Sequence, residues 1–175
     1  MKELIGPKEI NELVCALAAR IDRDCAGRPV VLIGVLKGAY IFISDLSRMI
    51  GSPVEVDFIR AASYGDACES SGRVCISRDI ETDITGRDVI LVEDIVDTGR
   101  TLDAIVRHIR EKGPSSIRVC ALLSKPSRRK IACTIDYVGM EVGDRFIVGY
   151  GLDHAERYRN LKGLFELPYP PPDPA

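Results

Sequence analysis

The sequence predicts an α/β protein with a mostly parallel sheet and helices on both of its faces. Three observations point there. Short apolar runs of strand length alternate with segments whose apolar residues recur every three or four positions. The runs Val30–Leu36 and Val89–Val92 are apolar without alternation, the pattern of strands buried on both faces. Each run ends in a small polar turn that opens into a helical pattern, which places two candidate anion-binding turns at the carboxyl edge of the sheet.

Taken in order, Ile10, Leu13, Val14, Leu17, Ala18 and Ile21 define an amphipathic first helix. Pro7 lies near its start, where a residue without an amide donor is tolerated. Val30–Leu36 is the first predicted strand, followed by a helix from about Ala39 to Met49. Val54–Ala61 alternates and reads as a strand, whereas positions 62–72 are small, polar and Gly-containing, a long loop. Val74–Ser77 is a short strand, and Thr85-Gly86 turns the chain into the Val89 strand. A helix over Leu102–Ile109 stops at Lys112-Gly113-Pro114. Ile117–Leu123 is a further strand, Ser124–Lys130 a basic loop expected in solvent, and weaker strands follow at about Asp136–Val138 and Phe146–Val148. There is no internal repeat. Residues 1–166 read as one domain, and the Pro-rich residues 167–175 as an extended or disordered tail.

The composition of the 175 residues is that of a water-soluble globular chain, with 46% apolar and 29% charged residues. A net charge of −2 gives no basic footprint, so no nucleic-acid partner is expected. No apolar run approaches the roughly 20 residues needed to cross a bilayer. The opening Met-Lys-Glu-Leu-Ile has no signal-peptide core, so a cytoplasmic location is expected. Six cysteines (Cys15, Cys25, Cys68, Cys75, Cys120 and Cys133) form no C-x-x-C pair, so neither a disulfide framework nor a zinc site is expected. Cys15, Cys120 and Cys133 lie in apolar surroundings, and Cys68 is the thiol expected to be exposed.

The chemistry concentrates in residues 89–102, Val-Ile-Leu-Val-Glu-Asp-Ile-Val-Asp-Thr-Gly-Arg-Thr-Leu. A buried strand ends in the adjacent acids Glu93 and Asp94, a third acid follows at Asp97, and Thr98-Gly99-Arg100-Thr101 leads into a helix. Free amide groups and the helix dipole converge at such a turn and favour a phosphate. Acids beside it suit a sugar-phosphate or a metal-phosphate, because hard cations prefer oxygen ligands. Leu36-Lys37-Gly38 is a second such turn, and it lacks the spacing and ending of a Walker A loop.

This run resembles the ribose-phosphate loop of the type I phosphoribosyltransferases, and the rest of the chain, from about residue 5 to 162, resembles the hypoxanthine (6-oxopurine) branch. The resemblance implies that family's fold, with a small hood and a mobile lid. It implies magnesium-dependent transfer of the 5-phosphoribosyl group from phosphoribosyl pyrophosphate to hypoxanthine or guanine, in purine salvage. Glu93 and Asp94 would hold the ribose hydroxyls and metal, with Asp153 as a further metal ligand. Asp97 would be the general base, and Thr98, Gly99, Arg100 and Thr101 would bind the 5′-phosphate. Leu36, Lys37 and Gly38, often through a non-proline cis peptide, and Arg159 would contact pyrophosphate. Ser63 and Tyr64 would belong to the lid, which shields the reacting sugar from water. Lys125 would donate to the purine 6-oxo group, which a 6-amino base cannot accept. Phe146 would stack on the base, the Ile147 backbone would bond its edge, and Asp153 would also belong to the purine site.

Arg128, Arg129 and Lys130 are read as solvated, and His108 and His154 as structural or exposed, since neither has a metal-ligand partner at suitable spacing. Family members are dimers or tetramers, so a homodimer or homotetramer is expected. Two alternatives stay open here: a transferase preferring xanthine or another base, and a non-enzymatic nucleotide-sensing RNA-binding regulator on the same fold. Near-neutral charge, the lid, Lys37 and Asp97 weigh against the second.

Overall fold

The computed structural model describes residues 1–62 and 74–168. The chain runs β1 (Lys2–Ile5), α1 (Pro7–Cys25), β2 (Val30–Leu36), α2 (Tyr40–Met49), β3 (Val54–Ala62), β4 (Cys75–Arg78) and β5 (Asp88–Val96). It continues through α3 (Arg100–Glu111), β6 (Ser116–Ser124), a short 3-10 turn (Pro126–Arg128), β7 (Tyr137–Glu141), β8 (Phe146–Val148) and β9 (Leu164–Leu167).

Six strands form one sheet in the order β4-β3-β2-β5-β6-β7. Every pairing is parallel except the edge pairing of β4 with β3. The central strands β2 and β5 are buried along nearly their whole length, as continuous apolar runs require. One face packs against α1 and α2 through Val14, Leu17, Ile21, Phe42, Ile43 and Leu46, over Leu32, Ile90 and Leu122 of the sheet. The other carries α3 through Leu102, Ile105 and Ile109, over Ile33, Leu91 and Ala121. The two layers hold β2 and β5 rigidly, so the turns leaving their carboxyl ends are fixed relative to each other.

Two strands were not anticipated. β1 and β9 pair antiparallel, and β9 pairs with β8, giving a three-stranded hood built from both ends of the chain. β9 carries the strand to Leu167, which is buried, one residue into the expected tail; residues beyond 168 lie outside the described ones. α3 begins at Arg100 rather than Leu102, so Thr101 is already helical. Cys15 is exposed rather than lodged in apolar surroundings, its thiol 3.5 Å from the Met49 sulfur of α2 at the rim of the helix pair. Cys25 and Cys120 are buried, Cys133 is half-buried and Cys75 is exposed; Cys68 falls outside the described residues. Among the described residues no helix is long and apolar enough to cross a membrane.

Asp57 is a buried carboxylate inside β3. It accepts the amides of Phe58 at 2.6 Å, Glu81 at 2.8 Å and Thr82 at 2.8 Å, tying the segment after β4 to the sheet. Burial alone would push its carboxyl upward, but the three amide donors outweigh that and hold it below the ordinary range. A carboxylate with a lowered folded-state pKa stabilises the fold above its unfolded value, and that stabilisation is lost as the pH falls. Asp57→Asn is therefore expected to cost about 1–3 kcal/mol at neutral pH, by urea unfolding. The deficit should shrink as the pH drops below about 4, where the unfolded carboxyl protonates.

Candidate active site

The turn after β2 meets the end of β5 at Gly38. A Cβ at Gly38 would lie 1.7 Å from Asp94 Oδ2, and a Cβ at Gly151 would lie 2.0 Å from the Gly38 carbonyl. Three backbone segments therefore converge where no side chain fits: the Leu36-Lys37-Gly38 turn, the acidic end of β5, and the loop leaving the hood. The bond joining Leu36 and Lys37 is cis, as the resemblance implied.

A cavity of about 220 Å³ opens at this junction, lined by Leu36, Gly38, Glu93, Asp94, Asp97, Thr98, Gly99 and Thr101 among others. All eight are predicted site residues. Gly99 has φ +83, and a Cβ there would press on the Ile131 carbonyl at 2.9 Å, so both its conformation and its surroundings require glycine. It caps α3, whose first amides lack partners within the helix and so offer donors at this end of the cavity. The Arg100 side chain departs from the expected set. It is exposed and lines a separate groove with Arg107 and His108, so only its backbone belongs to the turn.

Glu93 is buried and Asp94 half-buried, side by side. Burial pushes the Glu93 carboxyl well above its usual range, and the neighbouring Asp94 charge adds to this. Burial likewise pushes Asp94 up to about 6, with the Ile95 amide and the Arg159 charge holding it back. Burial thus disfavours the ionised form of both carboxyls.

Lys125 is buried at the end of β6, its amide bonded to the Val96 carbonyl at 3.0 Å. Phe146 and Ile147 stand on β8, and Phe146 meets His154 edge-to-face with centroids 5.2 Å apart. Asp153 is ion-paired to Arg159 at 2.8 Å, and Arg159 also donates to the Gly151 carbonyl at 2.8 Å. Lys37 and Arg159 both contact Glu156, a residue that the sequence reading did not single out. Its spacing, Asp153-X-X-Glu156-X-X-Arg159, was the available signal. Ser63 and Tyr64 lie outside the described residues.

The basic loop is not simply solvated. Arg128 approaches Asp97 and Asp144, each at 3.4 Å. Arg129 is half-buried, reaching Ser124 Oγ at 3.0 Å and the thiol of Cys133, while the Lys130 amide donates to the Thr98 carbonyl at 3.0 Å. The loop braces the phosphate-type turn from outside. His108 lies 3.0 Å from Asp79 and serves structure, as expected.

Among the described residues no three His, Cys, Asp or Glu side chains converge as a closed metal site. A buried carboxyl pair beside an open cavity instead fits an ion that takes one or two protein carboxylates and completes its shell with substrate oxygens and water.

The phosphoribosyl transferase domain family matches residues 6–155, and the chain belongs to it. Within that family it groups with the hypoxanthine(-guanine) phosphoribosyltransferases. It is 46% identical over 160 residues to the hypoxanthine-guanine phosphoribosyltransferase of Bacillus subtilis, covering 91% of this chain and 89% of that one. It is 44% identical to the bifunctional protein TilS/HprT of Listeria innocua, spanning 91% of this chain but only 25% of that protein. Among solved structures, a hypoxanthine-guanine phosphoribosyltransferase from Bacillus anthracis, with a HEPES molecule in its active site, superposes with a TM-score of 0.92 at 45% identity. That match covers 96% of this chain and 99% of the other.

A carboxyl whose folded-state pKa is raised favours the fold below its unfolded value, and that contribution is lost as the pH rises through the folded value. For Asp94 the window runs from about 4 to about 6. Asp94→Asn, which removes the buried charge, is expected to be more stable than the wild type by about 1 kcal/mol at pH 7.5. In chemical denaturation the two should converge at pH 4, where the wild-type acid is itself neutral.

Proposed function

We propose that the chain is a purine salvage enzyme that transfers the 5-phosphoribosyl group from phosphoribosyl pyrophosphate to hypoxanthine and guanine, giving IMP or GMP and pyrophosphate. The junction at Gly38 carries this reading, because it sets two anion-binding turns on either side of a buried acid pair. A ligand with a phosphate at one end, a diphosphate at the other and a diol between them matches that order of groups. The names of the close relatives support the purine as acceptor.

In this reading the amides and hydroxyls of Thr98, Gly99, Arg100 and Thr101 hold the 5′-phosphate, and Glu93 and Asp94 hold the ribose hydroxyls. Leu36, Lys37, Gly38 and Arg159 take the pyrophosphate. Phe146 stacks on the purine, the Ile147 backbone bonds its edge, and Lys125 donates to its 6-oxo group. The ring nitrogen attacks the anomeric carbon as the carbon–oxygen bond to pyrophosphate breaks, its electron pair leaving with the pyrophosphate oxygen. Asp97 accepts the proton from the purine nitrogen. The sugar between them has oxocarbenium character, as in glycoside chemistry, and Ser63 and Tyr64 would cover it. Magnesium, held by Glu93 and Asp94 with Asp153 as a further oxygen ligand, would neutralise the departing pyrophosphate.

Product formation from phosphoribosyl pyrophosphate and magnesium, with hypoxanthine, guanine, xanthine or adenine in turn, tests the proposal. Turnover of hypoxanthine or guanine with adenine inert is expected, and inactivity with both 6-oxopurines would overturn it. Lys125→Ala should lower kcat/KM for the 6-oxopurine about 10- to 100-fold, the loss expected for a donor to a buried acceptor. The KM for phosphoribosyl pyrophosphate should stay near the wild-type value.

A further inference from the structure

Glu156 has no part in the roles assigned above, yet it stands between two cations that do. Its Oε1 accepts from Lys37 Nζ at 2.9 Å, and its Oε2 accepts from Arg159 Nη2 at 3.1 Å. Arg159 does not depend on it, because Asp153 and the Gly151 carbonyl already hold that guanidinium at 2.8 Å each. The Glu156 side chain is 62% exposed and Lys37 45%, so the bridge faces solvent and can open without disturbing a core. The backbone that presents it is unusual. Ala155, Glu156 and Tyr158 have φ of 50, 64 and 75, the left-handed region that side-chain-bearing residues seldom adopt. The turn is clamped by the Glu156 amide donating to Asp153 Oδ2 at 2.9 Å and by the paired backbone bonds of His154 and Arg157. Such conformations persist where the surroundings impose them, and here they aim a carboxylate at two cations.

We propose that Glu156 is a built-in competitor for the pyrophosphate group. Its carboxylate holds the place between Lys37 and Arg159, swings out when phosphoribosyl pyrophosphate arrives, and returns as pyrophosphate leaves. The inference rests on the reading of Lys37 and Arg159 as pyrophosphate ligands. A diphosphate carries more charge than a carboxylate and displaces it, but its affinity is lowered by the two ion pairs it must break. Exposed pairs of this kind shift a binding constant about 1.4- to 5-fold each.

Calorimetric titration with inorganic pyrophosphate at fixed magnesium, on the wild type, Glu156→Gln, Lys37→Ala, Arg159→Ala and the Glu156→Gln/Lys37→Ala double variant, tests this. Glu156→Gln should bind pyrophosphate about three- to tenfold more tightly. Its KM for phosphoribosyl pyrophosphate should fall by a similar factor while that for the base stays level, and the gain should shrink in the Lys37→Ala background. A residue that merely supported the cations would weaken binding when neutralised. Unchanged or weaker pyrophosphate binding in Glu156→Gln, with Lys37→Ala still weakening it, would overturn the competitor role and leave the pyrophosphate site standing. If neither Lys37→Ala nor Arg159→Ala altered pyrophosphate affinity, the underlying reading would fall and this inference with it. Glutamine matches glutamate in size at an exposed position, so equal thermal unfolding of the two proteins is expected.

Discussion

The site depends on backbone meeting side chain at one point with nothing in between. Gly38 lies so close to the Asp94 carboxylate and to Gly151 that a methyl group at Gly38 would displace that carboxylate and one at Gly151 would press on the Gly38 backbone. That contact fixes the turn after β2 against the acidic end of β5, and the loop from the hood sits on the same turn. The parallel register of β2 with β5, from Val30 opposite Asp88 to Gly34 opposite Val92, brings the two strand ends level so that the contact can form. A slip of the register would separate the two turns, so the packed core and the cavity are parts of one constraint.

This arrangement puts two acids where water does not fully reach them. Burial disfavours their ionised forms, and the fold carries that penalty because two apolar layers on opposite faces of the sheet supply the stabilisation elsewhere. Carboxyls whose charge is disfavoured by burial gain most from hydroxyl donors or a cation, either of which satisfies the same oxygens. Asp57 shows the opposite solution a few strands away. It is also buried, yet three amides saturate its carboxylate, and its role is confined to holding a loop.

Much of this was legible in the residues. The unbroken apolar runs at Val30 and Val89 specified central parallel strands, and the small polar turns following them lie at the cavity. Of the hood, only Phe146–Val148 was legible as a strand, because Lys2–Ile5 and Leu164–Leu167 are four-residue segments whose meaning comes only from each other. Glu156 escaped for a related reason. Its spacing from Asp153 and Arg159 suggests one face of a helix, but the segment is a left-handed turn, and nothing local announces that Lys37, 119 residues earlier, lies across from it. Arg129 looked like surface charge because its partners, Ser124 and Cys133, become neighbours only when the loop folds back over the Thr98 turn.

The hood has one more consequence, which concerns the order in which the chain is made. Lys2 pairs with Glu166, and Glu166 in turn with Ile147. β1, the first described strand, therefore has no partner until β9, the last described strand, has been made. The six-stranded sheet needs no such delay, since its members from β2 to β7 are complete by Glu141. The strands of the larger sheet are thus all made before the platform bearing Phe146 and Ile147 can close, and among the described residues the pairing that closes it spans the most sequence.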